Sequence, residues 1–231
     1  MRLSERLEAI IAMIPPCETA ADIGTDHGFV PIELVRRRIA ERAIASDVRK
    51  GPLSRAQAHV EAAGLEKEID VRLGSGLSTV SPEEADVILI AGMGGRLTVK
   101  LLEEGRTVAG KAKTLILSPH TDAAAVRRYV TGNGFRIEDE TMVEEDGKFY
   151  PILRCEAAGA EGMQAEPLTE ADYLFGPVLL SKRPDVFLRF VEKEREKTAA
   201  LLEGFREKGV RGRKAEEKEL YFRRLSEVLQ D

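Results

Sequence analysis

The sequence predicts an α/β fold in which a mostly parallel sheet carries helices on both faces, followed by a C-terminal α-helical hairpin. Short apolar stretches alternate with helical patterns over residues 18–132, which is typical of a parallel sheet. An Asp146-Gly147 pair then joins two extended stretches, a strong signal for a hairpin of strands. Beyond Pro184, apolar residues recur at helical spacing on both sides of the stretch KGVRGRKAEE, which predicts two antiparallel helices.

The N-terminal stretch MRLSERLEAIIAMIPP predicts an amphipathic helix. Its apolar residues Leu3, Leu7, Ile10, Ile11 and Ile14 recur at helical spacing. It has no continuous apolar segment followed by a small-residue cleavage site, so we do not interpret it as a signal peptide.

Five strands and four helices are predicted to follow in alternation. The strands are predicted around 18–23 and in ERAIASD, IDVRLG, ADVILIAG and TLILSP. The helices are predicted around 30–38, in PLSRAQAHVEAAG, around 95–104 and in DAAAVRRYVTGNG. The unbroken apolar run 87–90 indicates a strand that is buried on both faces.

The strand KFYPILRCE is predicted to close the sheet in the antiparallel direction, because it follows the Asp146-Gly147 turn. The small and polar stretch AAGAEGMQAEP is typical of a linker. We therefore expect a sheet domain over residues 1–158 and a helical domain over residues 167–231.

Composition limits the classes of protein that the chain can represent. It has 231 residues, of which 43% are hydrophobic and 32% are charged, as in globular domains. No apolar run approaches the roughly 20 residues of a membrane helix, so we expect no membrane association. Two isolated cysteines favour a reducing compartment, here the cytoplasm, over a disulfide or a metal site. The net charge of −5 means that any nucleic acid must be bound by local basic clusters.

Small or acidic residues follow four of the predicted strands, at the ends where ligands bind in parallel α/β sheets. These four stretches are 22–28, Asp47, 74–76 and 91–95. The first, DIGTDHG, is not a GxGxxG turn, and Asp26 would repel a pyrophosphate. The same carboxylate suits a ligand with an ammonium group and no phosphate, such as S-adenosylmethionine (SAM). Asp47 follows Gly24 at about the 20-residue spacing of a ribose-binding carboxylate, which alone suits NAD or SAM equally.

Four motifs carry a more specific resemblance. In this order, ADIGTDHGFVP, IAGMGG, LILSP and VEEDGKFYPIL resemble the bacterial tRNA (adenine-22-N1) methyltransferase family. The resemblance covers nearly the whole chain, including the first helix and the C-terminal helical hairpin. It implies a Rossmann-like class I methyltransferase sheet, SAM as cofactor, tRNA as partner and methyl transfer to N1 of an adenine. It also implies that the C-terminal helices help to hold the tRNA.

The resemblance and the strand ends together give the candidate site. The candidate catalytic residues are Asp26 and His27, although His27 also suits a structural role in its turn. The candidate cofactor-binding residues are Asp22, Gly24, Thr25, Asp26, His27, Asp47, Val48, Gly74, Ser75, Gly76, Ala91, Gly92 and Met93. The candidate substrate-binding residues are Phe29, Gly94, Gly95, Pro119, His120, Tyr150, Arg36, Arg37, Arg38, Lys182 and Arg183. Further basic clusters that could contact phosphates are 127–128 and 211–214.

The chain departs from the family pattern at three places. Phe29 stands where many members have tyrosine, Ser75 where aspartate is frequent, and Ser118-Pro119-His120 replaces a more usual Gln-Pro-Asn or Gln-Pro-Gln.

We expect no metal site, because the three histidines have no cysteine pair beside them. The oligomeric state, monomer or weak dimer, stays open.

Three other functions compete with a tRNA methyltransferase. A SAM-dependent enzyme of the same fold could act on a small molecule or a protein, and a module could bind SAM or a nucleotide without catalysis. A nicotinamide oxidoreductase is disfavoured by Asp26 and by the terminal antiparallel hairpin.

Overall fold

The computed structural model describes residues 3–158 and 167–230. Its contacts divide the chain into two compact units, Met1–Val178 and Leu179–Asp231. Among the described residues, no helix combines the length and the apolar character that crossing a membrane requires.

The first unit contains one seven-stranded sheet of mixed direction. Its strands are β1 (Cys17–Ile23), β2 (Ala40–Asp47), β3 (Ile69–Leu73), β4 (Val87–Met93), β5 (Thr114–Pro119), β6 (Phe135–Glu145) and β7 (Lys148–Ala157). Their order across the sheet is β3-β2-β1-β4-β5-β7-β6. The first five strands are parallel, and β7 runs antiparallel to β5 and β6. The strand order reverses between β1 and β4, which is where such sheets bind ligands.

Helices connect the parallel strands and form the second unit. They are α1 (Glu5–Met13), α2 (Phe29–Arg36), α3 (Lys50–Ala63), α4 (Gly95–Glu104), α5 (Arg106–Ala109), α6 (Ala123–Gly132), α7 (Glu170–Phe175), α8 (Pro177–Lys182), α9 (Asp185–Glu207) and α10 (Arg213–Gln230). A 3₁₀ helix covers Gly76–Thr79. The predicted Rossmann-like methyltransferase sheet and the C-terminal helices are confirmed. The short elements 76–79, α5, α7 and α8 carry too little periodicity for the sequence to predict them.

The two apolar layers of the core lie on opposite faces of the sheet. Ile88 and Ile90 of β4 pack into one layer, whereas Val87 and Leu89 pack into the other. The second layer is covered by α1, whose Ile10 is fully buried. The apolar run of β4 is therefore buried on both faces, as predicted.

The turn between β6 and β7 explains why the last strand reverses. Asp146 and Gly147 have φ values of 51° and 72°, so both adopt the left-handed conformation of a tight hairpin turn. β7 then pairs with β5 in an antiparallel register that places Leu115 opposite Cys155.

A buried ion pair fixes the end of the first unit. Arg127 Nε donates to Glu140 Oε1 at 2.7 Å, and both side chains are almost fully buried. Arg127 Nη1 also donates to the carbonyl oxygens of Tyr173 and Leu174 in the last turn of α7. Helix α7 thus belongs to the first unit. Arg127 is occupied by these contacts, which corrects the expectation that it could bind a phosphate.

The second unit is an antiparallel pair of helices, α9 and α10. Its buried side chains recur at helical spacing and are Phe187, Val191, Thr198 and Leu202 of α9, and Leu225 and Val228 of α10. The stretch Arg211–Lys214 lies at the connection between the two helices and is exposed.

Candidate functional site

A cavity of about 440 Å³ lies at the carboxyl ends of the parallel strands. Residues from β1, β2, β4 and the end of β5 line it, together with residues of α1. We name its two sides by their construction. The turn flank comprises 22–27, Asp47 and 91–93. The α1 flank comprises Arg6 and His120, which line the cavity, together with Glu145 and Tyr150, which contact them without lining it.

The backbone shapes the turn flank. Gly24 follows β1 with a φ of 83°, a left-handed conformation that favours glycine. The backbone N–H groups of Gly24 and Thr25 both donate to Ser46 O at 2.8 Å, which ties this turn to β2. Thr25 Oγ1 accepts from the N–H of Gly28, where α2 begins. The turn is therefore held in place before any ligand binds.

Two buried carboxylates stand at the ends of β1 and β2. Burial, together with the negative charge of Asp47, raises the pKa of Asp22 to about 6, although a hydrogen bond from Thr25 opposes this shift. Asp47 is 5% exposed, and its Oδ1 accepts the backbone N–H of Arg49 at 2.6 Å. Within residues 3–158 and 167–230, no group donates to Asp47 Oδ2, so this oxygen can accept from a ligand.

Asp26 lies at the mouth of the cavity and is exposed. Arg55 Nη2 of α3 donates to its Oδ1 at 2.7 Å. This hydrogen bond is the main reason that the pKa of Asp26 lies below its ordinary value, with the charge of His27 contributing. Asp26 is therefore an anion at neutral pH and cannot serve as a proton donor there.

Three rings stack beside Asp26. The centroids of His27 and Phe29 are 4.9 Å apart, and those of Phe29 and His59 are 5.1 Å apart. His59 Nδ1 donates to the carbonyl oxygen of His27 at 2.9 Å, which holds the stack together. His27 and Phe29 line the cavity, so the stack gives it a flat aromatic wall.

The α1 flank gathers side chains from four elements. Arg6 Nη1 lies 2.8 Å from His120 Nε2, and the Arg6 guanidinium lies 4.7 Å from the centroid of Tyr150. His120 and Tyr150 meet edge to face with centroids 5.2 Å apart. Glu145 Oε2 lies 3.8 Å from Arg6 Nε. Partial burial, followed by the charges of Arg6 and Lys148, lowers the pKa of His120.

Most of the predicted cofactor-binding residues meet at the cavity. Those that line it are Asp22, Gly24, Thr25, Asp26, His27, Asp47, Ala91, Gly92 and Met93. Among the predicted substrate-binding residues, Phe29 and His120 line it, and Tyr150 contacts His120 from behind.

Other predicted residues lie elsewhere. Ser75 and Gly76 line a second hollow of about 300 Å³ beside α4 and α5. Gly74 and Val48 follow β3 and β2 without lining the cavity, and the Val48 side chain is 64% exposed. Ser118 is fully buried in β5, and its Oγ has no hydrogen-bond partner among the described residues.

Gly94, Gly95 and Pro119 do not line the cavity, and the structure gives the glycines another role. A Cβ on Gly95 would lie 2.5 Å from the carbonyl oxygens of both Thr121 and Asp122. Glycine is thus needed for the start of α4 to pack against the loop after β5. The two glycines therefore leave no open space for a flat base: a Cβ on Gly94 would lie 3.2 Å from Thr121 Oγ1, and backbone atoms close the Gly95 position.

The arginines 36–38 do not line the cavity. Arg37 is bound by Glu8 and Glu33, and Arg36 lies 3.5 Å from Glu33. Arg38 lines a hollow at the amino ends of the strands, the opposite edge of the sheet. Lys182 and Arg183 belong to the second unit. These positions do not support phosphate binding next to the cavity by residues 36–38.

Sequence reasoning missed the contribution that α1 and Arg49, which directly precedes α3, make to the cavity. Arg6, Leu7 and Ile10 line it, as does Arg49. A signal for Arg6 was present, because it lies three residues after Leu3 and four before Ile10, on the apolar face of the first helix. Within the described part of the chain, no group of three or more His, Cys, Asp or Glu side chains could hold a metal ion.

Comparisons with known proteins agree with this geometry. Residues 3–153 match the family model of a methyltransferase domain. The tRNA (adenine(22)-N(1))-methyltransferase of Bacillus subtilis is 36% identical over 203 residues, which cover 88% of this chain and 85% of that protein.

Two solved structures extend the agreement to the whole chain. The m1A22 tRNA methyltransferase TrmK of B. subtilis superposes with a TM-score of 0.87 at 34% identity, covering 99% of each chain. A Streptococcus pneumoniae protein solved in complex with S-adenosyl-L-methionine gives 0.88 at 36% identity, covering 99% of this chain and all of that one. This chain is therefore a member of the SAM-dependent tRNA (adenine(22)-N(1))-methyltransferase family.

Proposed function

We propose that this chain binds SAM against the turn flank and transfers its methyl group to N1 of adenine 22 in tRNA. The observation that carries the proposal is one cavity with two unlike sides. The turn flank offers the carboxylates of Asp22, Asp26 and Asp47, and the α1 flank offers rings and a neutral imidazole. The first side suits a cationic nucleoside, and the second suits a flat base.

The residues of the turn flank fit SAM. Asp47 Oδ1 is held by the N–H of Arg49, which leaves Oδ2 for a ribose hydroxyl. Asp22 and Asp26 place negative charge where a ligand with an ammonium and a sulfonium group is stabilised. At Gly24, an added Cβ would lie 2.2 Å from Met93 Cε, so a larger residue would displace the side chain that closes this side.

Bound SAM supplies a methyl group on a positively charged sulfonium, which becomes a neutral thioether when N1 of adenine takes the methyl carbon. N1 has a free lone pair at neutral pH, so the chain needs to align the base rather than to remove a proton first. We assign Asp26 to electrostatic stabilisation beside the ligand's positive charge, because it is held as an anion by Arg55. We assign His27 to the aromatic wall that it forms with Phe29 and His59.

N1 lies on the Watson–Crick edge, so adenine must leave its stack to enter the cavity. The rings of Phe29 and His120 line the cavity and are the surfaces against which a flipped base can pack, and Tyr150 supports the His120 ring edge to face. Arg49 lines the cavity with an exposed side chain and is placed to meet a neighbouring phosphate. We further propose that Arg211–Lys214 of the second unit contacts tRNA.

We propose the cytoplasm as the location, in keeping with the free thiols of Cys17 and Cys155. Burial raises the pKa of Cys155, which makes this thiol unreactive.

The test uses labelled SAM and two unmodified tRNA transcripts that differ only at position 22. One transcript carries adenine there and the other guanine, and both are digested to nucleosides after reaction. We expect labelled 1-methyladenosine from the adenine transcript alone. Label in both transcripts, label on another adenine atom, or binding of SAM without any transfer would each overturn the proposal.

A further inference from the structure

Helix α1 contributes one charged side chain to the cavity wall, Arg6. We propose that Arg6 is a positioning residue that holds His120 as the neutral imidazole with its proton on Nδ1. The meaning of this inference for catalysis rests on the proposed function, whereas its structural content does not.

The tautomer follows from the donor properties of the two groups. Arg6 Nη1 and His120 Nε2 are 2.8 Å apart. A guanidinium has only N–H donors, so Nε2 must be the acceptor and cannot carry a proton. The remaining proton of the neutral ring is then on Nδ1, and this N–H is the ring's only polar group available to a ligand.

Two side chains besides His120 lie against the guanidinium, and buried residues fix the helix that carries it. The guanidinium lies over the ring of Tyr150, whose centroid is 4.7 Å away. Glu145 contacts Arg6 at two points. It accepts a hydrogen bond from the backbone N–H of Arg6 at 3.4 Å, and its Oε2 lies 3.8 Å from Arg6 Nε. Ile10 and Ile11, both buried, fix α1 on the sheet. The position of Arg6 is therefore determined by packing and not only by His120.

The charges around His120 also favour the neutral ring. Arg6 from α1 and Lys148 from β7 are cations that lower its pKa, as does its partial burial. Tyr150 of β7 faces the ring edge to face, and Glu145 of β6 reaches it only through Arg6. From β1, Asp22 lines the same cavity. Arg6 and Glu145 offset each other, so the α1 flank carries no added charge while His120 is neutral.

A neutral imidazole has a consequence for methyl transfer. The adenine ring gains a positive charge when N1 forms its bond to the methyl carbon, and it keeps that charge until a proton leaves N6. A protonated His120 would repel this charge and would also lose the hydrogen bond from Arg6. By fixing both the protonation state and the ring orientation, Arg6 favours transfer without touching the base.

The first experiment reads the tautomer directly in the SAM-free protein. The chain has three histidines, so long-range nitrogen–proton spectra of protein labelled at histidine nitrogen are readily assigned. We expect His120 to be protonated on Nδ1. His59, which donates from Nδ1 to the carbonyl of His27, is an internal reference.

Arg6→Leu keeps apolar volume over Tyr150 but removes the donor. We expect the His120 signals to move toward the Nε2–H tautomer and its pKa to rise, while His59 does not change. Glu8→Gln is the matched control on α1, because it weakens the exposed pair with Arg37 instead. A parent protein with His120 protonated on Nε2, or a variant with unchanged His120 signals, would overturn the inference.

The second experiment measures methyl transfer against pH. Arg6→Leu should lower kcat by about tenfold, because a misoriented His120 would align the adenine less well for methyl transfer. It should also move the acidic limb of the kcat profile to higher pH, whereas KM for SAM stays near that of the parent. Arg6→Lys, which retains a donor, should recover part of the rate. A parent enzyme that methylates no tRNA would refute the proposed function while leaving the tautomer result intact.

Discussion

The two flanks of the cavity are built in different ways. The turn flank consists of residues at the carboxyl ends of strands β1, β2 and β4 and in the turn after β1. Backbone hydrogen bonds hold it, such as those from Gly24 and Thr25 to Ser46. The α1 flank consists of side chains from four elements, and its central hydrogen bond joins residues 114 positions apart, Arg6 and His120. The turn flank is therefore formed by the sheet itself, whereas the α1 flank depends on how α1 and the β6–β7 hairpin pack on the sheet.

This difference in construction suggests a division of labour. We propose that the carboxylates and turns of the turn flank contact SAM and that the rings and the imidazole of the α1 flank contact the adenine. We therefore expect substitutions in the turn flank to change SAM affinity, and substitutions in the α1 flank to change methyl transfer.

The largest expected effect is on SAM affinity in Asp47→Ala. A buried carboxylate that accepts hydrogen bonds from a ligand contributes about 1.5–3 kcal/mol, so affinity should fall about 10- to 150-fold. Isothermal titration calorimetry measures the SAM dissociation constant of the parent and the variant. Asp70→Ala is the matched control, because Asp70 is an exposed carboxylate on the neighbouring strand β3. Equal affinities in the two variants would place the ribose elsewhere.

A smaller loss is expected in Asp26→Ala, which should lower methyl transfer about tenfold while the protein stays folded. The fold should survive because Asp26 and Arg55 form an exposed pair, and such pairs contribute little to stability. Single-turnover rates and a thermal melt measure the two properties. Arg55→Ala removes the same ion pair but keeps the carboxylate, so it should retain more activity. If both variants turned over like the parent, Asp26 would not belong to the site.

The smallest effect concerns pH and Asp22. Its pKa of about 6 lies above the ordinary value, so in the SAM-free protein its contribution to stability is present at low pH and lost as pH rises through about 6. Burial in the SAM-free protein favours the neutral form of Asp22, whereas a cationic ligand favours its carboxylate form. SAM affinity should thus fall about fivefold between about pH 7 and about pH 5.

Calorimetry at both pH values tests this expectation. Asp22→Asn should bind SAM more weakly at neutral pH and should lose the pH dependence. An unchanged pH dependence in that variant would assign the titration to another group that lines the cavity.

Much of the turn flank could be predicted from the sequence, because parallel strands bring their carboxyl ends to one edge. The stretch 22–27, Asp47 and the stretch 91–93 lie at the carboxyl ends of their strands, and local sequence determines these positions. The resemblance to a methyltransferase family pointed to the same stretches. The predicted strands and the antiparallel hairpin followed from equally local signals, such as Asp146-Gly147.

The rest depended on tertiary packing that no local pattern contains. Arg6 reaches the cavity only because α1 packs on the side of the sheet that carries β5, β6 and β7. Gly95 was predicted to bind substrate, but the structure uses it for a close approach of α4 to the backbone of Thr121 and Asp122. The three arginines at 36–38 were predicted to bind phosphate, but they lie at the end of α2, at the edge of the sheet opposite the cavity.

The most direct test of the division between the flanks is the SAM dissociation constant of Tyr150→Leu, which keeps apolar volume but removes the ring that faces His120. Calorimetry on the folded variant would be read together with its single-turnover rate. We predict a dissociation constant within about threefold of the parent and a methyl-transfer rate lowered about tenfold. A loss of SAM affinity as large as that of Asp47→Ala would contradict the account, because the two flanks would then form one binding surface.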